Sequence, residues 1–231
     1  MNIFVLHSQA GKAARLHCDA HVIKMLLETT QILYTYLDSI GYVLPATDTD
    51  GNTIVPYKPT HRHHPCVLWL HGGRAHFKWL LHLANVLAFL YARIYDKVHA
   101  CYMHIRHMLV EIDLTKLPDN CDAETWLQRL TARGIKPKIV QDCASKVATV
   151  DPPYGCAFGV ACIGDDNSYW RTADGAINLP KTYLAYYNYK RGIFKRPMRW
   201  RKQAKPPPEI EEWNTMGVSK CGAHASSFLG F

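Results

Sequence analysis

The sequence contains no apolar run that approaches the ~18 residues needed to span a bilayer, and its most apolar stretch covers only residues 86–92. It also lacks the basic start and the small-residue cleavage site of a secretory signal peptide. Both absences argue against a membrane-spanning or exported protein. We therefore expect a soluble, cytoplasmic protein.

Paired cysteine motifs are missing as well. No two of the cysteines are separated by two residues as in a CxxC motif, and the eight lie at positions 18, 66, 101, 121, 143, 156, 162 and 221. Scattered cysteines in a chain without a secretory signal favour reduced thiols over a disulfide framework.

Acidic residues are fewer than basic ones: the chain has 19 Asp and Glu and 27 Lys and Arg, which gives a net charge of +8 and a pI near 9.0. A charge of this sign indicates an acidic partner, either nucleic acid or an anionic membrane. With 48% apolar residues the chain can nevertheless bury a sizeable core.

The apolar residues recur at steps of three and four in several segments, which is typical of amphipathic helices. We predict helices over about residues 10–37, 74–97 and 122–133, the last stopped by Gly134, and a short β-hairpin around 154–163. Residues 2–6 fit a short strand or an ordered arm, and 41–60 a loop. The predicted fold is mainly α: a compact helical domain with long irregular connections. Residues 1–180 would form this core, and residues 181–231 a basic, aromatic-rich segment packed on it or extending it.

A second, polar stripe follows the first predicted helix. Its five members share one face because they too recur at steps of three and four: His17, His21, Lys24, Glu28 and Gln31. They could form the wall of an active site, with Glu28 as an acid or base. The alternative is a solvated helix face that carries a Lys24–Glu28 ion pair.

Histidines and a cysteine cluster just after the predicted loop, at His61, His63, His64 and Cys66, and His17, Cys18 and His21 could extend the set. Such side chains can hold zinc. The regular zinc spacings are absent, however, and Pro65 interrupts the cluster. We therefore predict no metal and no cofactor, with His64 and Pro65 forming a turn that begins the second helix.

Residues 181–205 contain nine basic residues, six aromatics and no acid. Cations neutralise phosphates and aromatic rings stack on exposed bases, so the segment favours nucleic-acid binding over a mere solubility tail. The predicted nucleic-acid-binding residues are Lys24, His63, His64, Tyr186, Tyr187, Lys190, Arg191, Lys195, Arg196, Arg199, Trp200 and Arg201.

Several motifs, in this order, resemble the pyrimidine-dimer DNA glycosylases, the endonuclease V-like family of phages. They are the start Met-Asn-Ile-Phe, residues 21–28 with a His seven residues before a Glu, His64-Pro65, the aromatic end of a helix at 91–95, and the aromatic, basic residues 183–190. Together they cover about half of the chain. The sequence also resembles a set of uncharacterised phage-type proteins, which would place it in the host cytoplasm.

The resemblance implies a mostly helical DNA glycosylase, with an associated lyase activity, that flips a damaged or modified pyrimidine out of the duplex. In that family the N-terminal α-amine attacks the sugar and leaves an imine, while a helix carboxylate stabilises the charged sugar. An α-amine suits this role because its pKa is about 8. Carried over, Met1 supplies the amine, Glu28 is the carboxylate and His21 accompanies it as a catalytic residue.

This sequence departs from the family at three places. Asn2 is larger than the family's second residue, Leu27 and Gln31 replace arginines, and residues 100–180 have no counterpart. The partner could therefore be RNA instead of DNA. Two other functions stay open: a nucleic-acid-binding protein without catalysis that uses His63, His64 and residues 181–205, and a zinc-stabilised module.

Overall fold

The computed structural model describes residues 1–163, 169–194 and 197–201. Within these ranges the chain is mainly helical with one short antiparallel hairpin, which confirms the predicted fold class. The helices are α1 Ala10–Leu16, α2 Asp19–Ser39, α3 Pro65–Leu68, α4 Arg74–Tyr95, α5 Cys101–Glu111, α6 Ala123–Ala132, α7 Pro137–Ser145 and α8 Leu179–Ile193, with short 3-10 turns at Trp69–Gly72 and Leu114–Lys116. No helix in these ranges is long and apolar enough to cross a membrane.

Helices α2 and α4 pack against each other at the centre of the fold, and α1 and α5 also pack on α4. On α4 the fully buried side chains recur at steps of three and four, at Phe77, Leu80, Ala84 and Leu87. Burying each large apolar side chain stabilises the fold by about 1.5–3 kcal/mol. This stripe is what the apolar periodicity of the sequence predicts.

The predicted helix over residues 10–37 is in fact two helices, because the chain is extended at His17 and Cys18. The backbone N–H of Cys18 donates to the hydroxyl of Tyr187 at 2.9 Å instead of continuing the helical pattern. Since Tyr187 belongs to α8, a contact across 169 residues sets the break between α1 and α2.

The start of the chain is an ordered arm rather than a strand of a sheet. Ile3, Phe4, Val5 and Leu6 are buried, although they pair with no strand among the described residues. Apolar burial therefore fixes the arm against the helices and brings Asn2 to the side of α2.

The other predicted elements are found with shifted limits. Asp122 caps α6 by accepting from the N–H of Thr125 at 2.8 Å, and Gly134 ends it with a φ of +74°. In the hairpin, β2 (Gly159–Val160) lies within the predicted range, whereas its partner β1 (Val147–Ala148) lies before it.

Helix α8 was not predicted as a helix. The side chain of Asn178 caps it by accepting from the N–H of Lys181 at 3.0 Å. Tyr183 and Tyr187, one turn apart, are fully buried, and their rings contact the ring of Phe4. The helix thus joins the N-terminal arm to the core and supplies hydroxyl groups beneath it.

Candidate active site

Glu28 lies against the start of the chain. Its side chain is only 14% exposed, and its Oε2 accepts a hydrogen bond from the backbone N–H of Asn2 at 2.7 Å. Hydrogen bonds to an ionised acceptor are short and strong, and a largely buried carboxylate requires such partners. The catalytic hypothesis needs Glu28 beside the N-terminus, and the structure places it there.

The second interpretation of the polar stripe is also visible. Lys24 Nζ lies 3.7 Å from Glu28 Oε1, one helical turn away, and the lysine side chain is 66% exposed. An exposed pair of this kind contributes little to stability. Glu28 therefore faces two groups, a mobile surface cation on one oxygen and the fixed backbone of Asn2 on the other.

The carboxamide of Asn2 is held at both ends. Its Nδ2 donates to the carbonyl of Cys162 at 2.6 Å, while its Oδ1 accepts from the N–H of Ile3 at 2.7 Å. The hydroxyl of Tyr183 and the thiol of Cys66 approach the same oxygen at 3.3 and 3.7 Å. These contacts restrain the side chain of residue 2, and with it the nitrogen that touches Glu28.

Tyr183 links this arrangement to α8. Its hydroxyl accepts the backbone N–H of Cys162 at 3.0 Å and donates toward Asn2 Oδ1. Burial raises the pKa of Tyr183 well above its usual value, so the phenol stays protonated and acts as a hydrogen-bond donor.

His64 belongs to the same region. Burial, the N-terminal amine and Lys146 lower its pKa to about 4, while Glu28 and Asp142 act in the opposite direction. The imidazole is therefore neutral at pH 7. Its Nδ1 accepts the N–H of Cys66 at 3.2 Å, which leaves the proton on Nε2. His64 can donate a hydrogen bond there, but it does not supply the positive charge expected of a phosphate contact.

Two thiols, those of Cys66 and Cys162, border the site. A hydrogen bond with Cys66, together with burial, raises the pKa of the Cys162 thiol well above its usual value. The protonated thiol is a poor nucleophile. Cys162 therefore contributes hydrogen bonds and packing to the site rather than a thiolate.

His21, predicted as a catalytic residue, lies apart from Glu28. Its Nδ1 is 2.6 Å from the hydroxyl of Tyr187, and its ring packs against Phe4 and Phe194. Burial lowers its pKa to about 3, aided by nearby positive groups, so it is neutral at pH 7. Seven residues along a helix correspond to about 10 Å, so His21 supports the arm two turns away from the carboxylate.

Two rings predicted to stack on bases are buried instead. Tyr187 is 0% exposed and Trp200 only 8%, and the indole N–H of Trp200 donates to the carbonyl of Leu16 at 3.1 Å. Neither ring offers a free face to a base. The sequence pattern was ambiguous because an aromatic ring next to cations can serve either a core or a binding surface.

The remaining predicted nucleic-acid contacts differ in exposure. Arg199 is exposed, and the ammonium of Lys190 lies 5.2 Å from the ring centre of the half-buried Tyr186. Arg201 pairs with the carboxylate of Asp19 at 3.2 Å.

Three further predicted contacts are the basic residues 191, 195 and 196. Arg191 Nη1 is buried and has no hydrogen-bond partner among the described residues. Lys195 and Arg196 lie outside the described residues.

The predicted cluster around residues 61–66 is spread out. His61 and His63 are exposed, whereas Cys66 is fully buried. Within the described ranges no three His, Cys, Asp or Glu side chains are arranged to hold a metal ion. His64 caps α3, ahead of Pro65, where the second helix was expected to begin.

Sequence reasoning missed the side chain of Asn2 and its partners Tyr183 and Cys162. It also missed Lys146, whose charge helps to lower the pKa of His64. Asn2 had a visible signal, since it is a polar residue beside the apolar run of residues 3–6. No local pattern connects Cys162 and Tyr183 to Asn2, because 160 residues or more separate them from it.

An open cleft of about 690 Å³ lies elsewhere, beyond the C-terminal end of α2. Ile40, Tyr42, Glu111, Lys116 and Arg133 are among its lining residues, and none of the predicted site residues is. The candidate site at Glu28 is therefore separate from this cleft.

Comparisons of the chain with protein-family models, with characterised proteins and with solved structures find no match.

Proposed function

We propose that the protein is a DNA glycosylase with an associated lyase activity, acting on a damaged or modified pyrimidine. The observation that carries this proposal is the 2.7 Å contact between the nitrogen of Asn2 and the carboxylate of Glu28. An amine nucleophile and a carboxylate that faces the developing charge are the two groups such chemistry requires.

In the proposed reaction the α-amine forms a bond to the sugar carbon C1′. The bond from C1′ to the base nitrogen breaks, and the base leaves with the electron pair and takes up a proton. The amine nitrogen gives up one proton, which matches the proton that the base takes up. The bond from C1′ to the ring oxygen O4′ then breaks, O4′ keeps the electron pair and takes up the second amine proton, and the nitrogen forms a double bond to C1′, which gives an imine between protein and DNA. In this reaction Glu28 stabilises the positive charge that forms at C1′.

Two nitrogens are candidates for the attack. The α-amine of Met1 is close enough to His64 to lower the pKa of that histidine. The nitrogen of Asn2 is the one in contact with Glu28, and removal of Met1 would turn it into the α-amine. The proposal holds for either form, and the mass of the purified chain distinguishes them.

Exposed cations support an anionic substrate. Lys24 is exposed beside Glu28, and the positive charges of Lys24 and Lys190 both act on His21. Arg199, on the segment that follows α8, is exposed as well. Such cations bind the phosphates of a nucleic acid through counterion release.

Borohydride trapping tests the proposal, since the reagent reduces an imine to a stable protein–DNA adduct. Duplexes would contain a pyrimidine dimer, an oxidised pyrimidine, an abasic site or no damage. We expect an adduct with at least one damaged duplex and none with the undamaged one. Mass spectrometry of the digested adduct should locate the sugar remnant on the N-terminal residue.

A matched control blocks the amine by acetylation of the N-terminus and leaves every side chain in place. It should form no adduct. Failure of the unmodified protein to form an adduct with any duplex would refute the glycosylase proposal. A remnant on a lysine such as Lys24 would refute the N-terminal amine.

Nucleic-acid binding without catalysis is the second candidate, favoured by the exposed cations Lys24 and Arg199 and by the engagement of both Glu28 oxygens in protein contacts. It predicts salt-dependent binding of damaged and undamaged duplexes alike, with no adduct. The same titrations and trapping reactions therefore separate the two functions.

A further inference from the structure

The hydroxyl of Tyr183 is connected to Glu28 through residue 2. It meets Asn2 Oδ1 at 3.3 Å, on the side chain of the same residue whose nitrogen contacts Glu28 at 2.7 Å. The ring is completely buried on α8, so its position is set by the core. A buried group thus contacts the residue whose backbone N–H donates to the carboxylate of Glu28.

The hydroxyl serves two partners at once. It accepts the N–H of Cys162, and Cys162 in turn accepts Asn2 Nδ2 at its carbonyl, at 2.6 Å. Tyr183, Cys162 and Asn2 therefore form a closed ring of hydrogen bonds. Rotation of the Asn2 side chain would break two members of this ring together, which restricts the backbone nitrogen as well.

We propose that Tyr183 is a positioning residue for the reaction at Glu28, acting through the carboxamide of Asn2 on the nitrogen of the chain start. This inference rests on the proposed function. Tyr183 touches neither the sugar nor the base; it holds the nucleophilic end of the chain against the carboxylate. Displacement of a reacting group by about 1 Å can lower a rate by about 100-fold.

Tyr183→Phe removes the hydroxyl and keeps the buried ring. We expect the maximal rate of borohydride trapping on an abasic-site duplex to fall by about 10-fold or more, with the half-saturating DNA concentration unchanged. A general loss of stability would not lower the maximal rate while leaving the half-saturating DNA concentration unchanged, provided that the variant is folded at the assay temperature.

Thr182→Val is the matched control on the same helix. It also removes a buried hydroxyl that accepts a backbone N–H, that of Trp170 at 3.1 Å, and donates to a carbonyl, that of Asn178 at 2.7 Å. Among the described contacts it has none with Asn2. Its trapping rate should equal that of the unmodified protein even if its unfolding midpoint falls as far as that of Tyr183→Phe.

A double-mutant cycle with Asn2→Ala tests the path of the effect. Because Tyr183 acts through the Asn2 carboxamide, Tyr183→Phe should slow trapping no further once Asn2 is alanine. Independent, multiplicative effects would overturn the inference. If Tyr183→Phe does not fold, Asn2→Ala alone tests the inference. Trapping of Asn2→Ala at the rate of the unmodified protein would then overturn it.

The two proposals fail separately. An unmodified protein that forms no adduct refutes the proposed function and, with it, the role of Tyr183. An unmodified protein that is trapped while Tyr183→Phe is trapped equally fast leaves the function standing and overturns only the positioning role.

Discussion

The imidazole Nδ1 of His21 lies 2.6 Å from the hydroxyl of Tyr187, although the two residues are 166 positions apart in the sequence. The same hydroxyl accepts the N–H of Cys18 at 2.9 Å. Tyr187→Phe therefore leaves two buried polar groups without a partner. We expect the free energy of unfolding to drop by about 1–3 kcal/mol, measured by urea denaturation. Tyr36→Phe is the control, because the buried hydroxyl of Tyr36 has no hydrogen-bond partner within residues 1–163, 169–194 and 197–201. Equal losses in both variants would contradict this account.

Glu28→Gln should abolish strand cleavage while DNA affinity stays nearly unchanged. The amide keeps the size of the side chain but loses the charge that stabilises the cationic sugar, a change that typically lowers a rate ~10²-fold or more. Single-turnover cleavage and equilibrium titration measure the two effects. Glu124→Gln, at an exposed position on α6, serves as the control. Cleavage by Glu28→Gln at the unmodified rate would rule out the catalytic role.

Stability should fall as the pH drops below about 6.5. Burial lowers the pKa of seven histidines in the described part of the chain: to about 4 for His17, His64 and His71, to about 3 for His21 and His76, and in the same direction for His99 and His104. Between these values and 6.5 the unfolded chain binds protons that the folded chain does not, so acid favours unfolding. Each such proton contributes a slope of about 1.4 kcal/mol per pH unit.

Urea denaturation from pH 8 to pH 4.5 measures this slope. His76→Gln should make it shallower by about one proton, whatever the variant does to stability at pH 7.5. A free energy of unfolding that stays constant from pH 7.5 to pH 5 would contradict the neutral, buried state of these histidines.

Purified protein should contain no stoichiometric zinc. His61 and His63 are exposed, and Nδ1 of His64 is already engaged by the N–H of Cys66, so the four residues 61, 63, 64 and 66 do not converge. Elemental analysis of protein prepared without added metal checks this. About one zinc per chain, lost on His64→Ala, would instead support a zinc-stabilised module.

The salt dependence of DNA binding should reside in the exposed cations. Arg199→Ala should reduce the slope of log K against log salt by about 0.9, the value for one phosphate contact on duplex DNA.

Tyr189 is 52% exposed and can stack on an unpaired base, so Tyr189→Ala should weaken binding by ~1–3 kcal/mol without altering the slope. Arg106→Ala, whose guanidinium already pairs with Asp50 at 2.7 Å, is the charge-matched control. Unaltered binding in both test variants would exclude this surface as the nucleic-acid interface.

The local sequence pattern predicts the central helices. It does not predict the elements whose limits depend on contacts with distant parts of the chain. The stripe on α4 and the cap and stop of α6 at Asp122 and Gly134 are encoded within a few residues of each helix. The break at Cys18 is not, because its N–H bonds to Tyr187. Helix α8 was not recognised for a related reason: its buried tyrosines, Tyr183 and Tyr187, lie between Lys181 and the pair Lys190 and Arg191, a pattern that equally fits a binding segment.

In the candidate site, too, the local sequence predicts some residues and not others. Glu28 was identified from its spacing to His21 and from the family resemblance, and the structure does bring Glu28 to the chain start. The ring of hydrogen bonds behind Asn2 joins residues 160 or more positions apart, which no local pattern records. His64 was predicted as a nucleic-acid contact, whereas its neutral state depends on burial and on nearby charges that only the folded chain brings together.

The position of the N-terminal arm has a consequence for the order of events during synthesis. Residue 2 is translated long before its partners Cys162 and Tyr183, which follow 160 and 181 residues later. Helices α2 and α4, whose contacts lie closer in sequence, can associate earlier. The apolar residues of the arm therefore stay exposed until α8 has left the ribosome. A nascent chain arrested before residue 183 should consequently have a packed helical centre and a protease-accessible start.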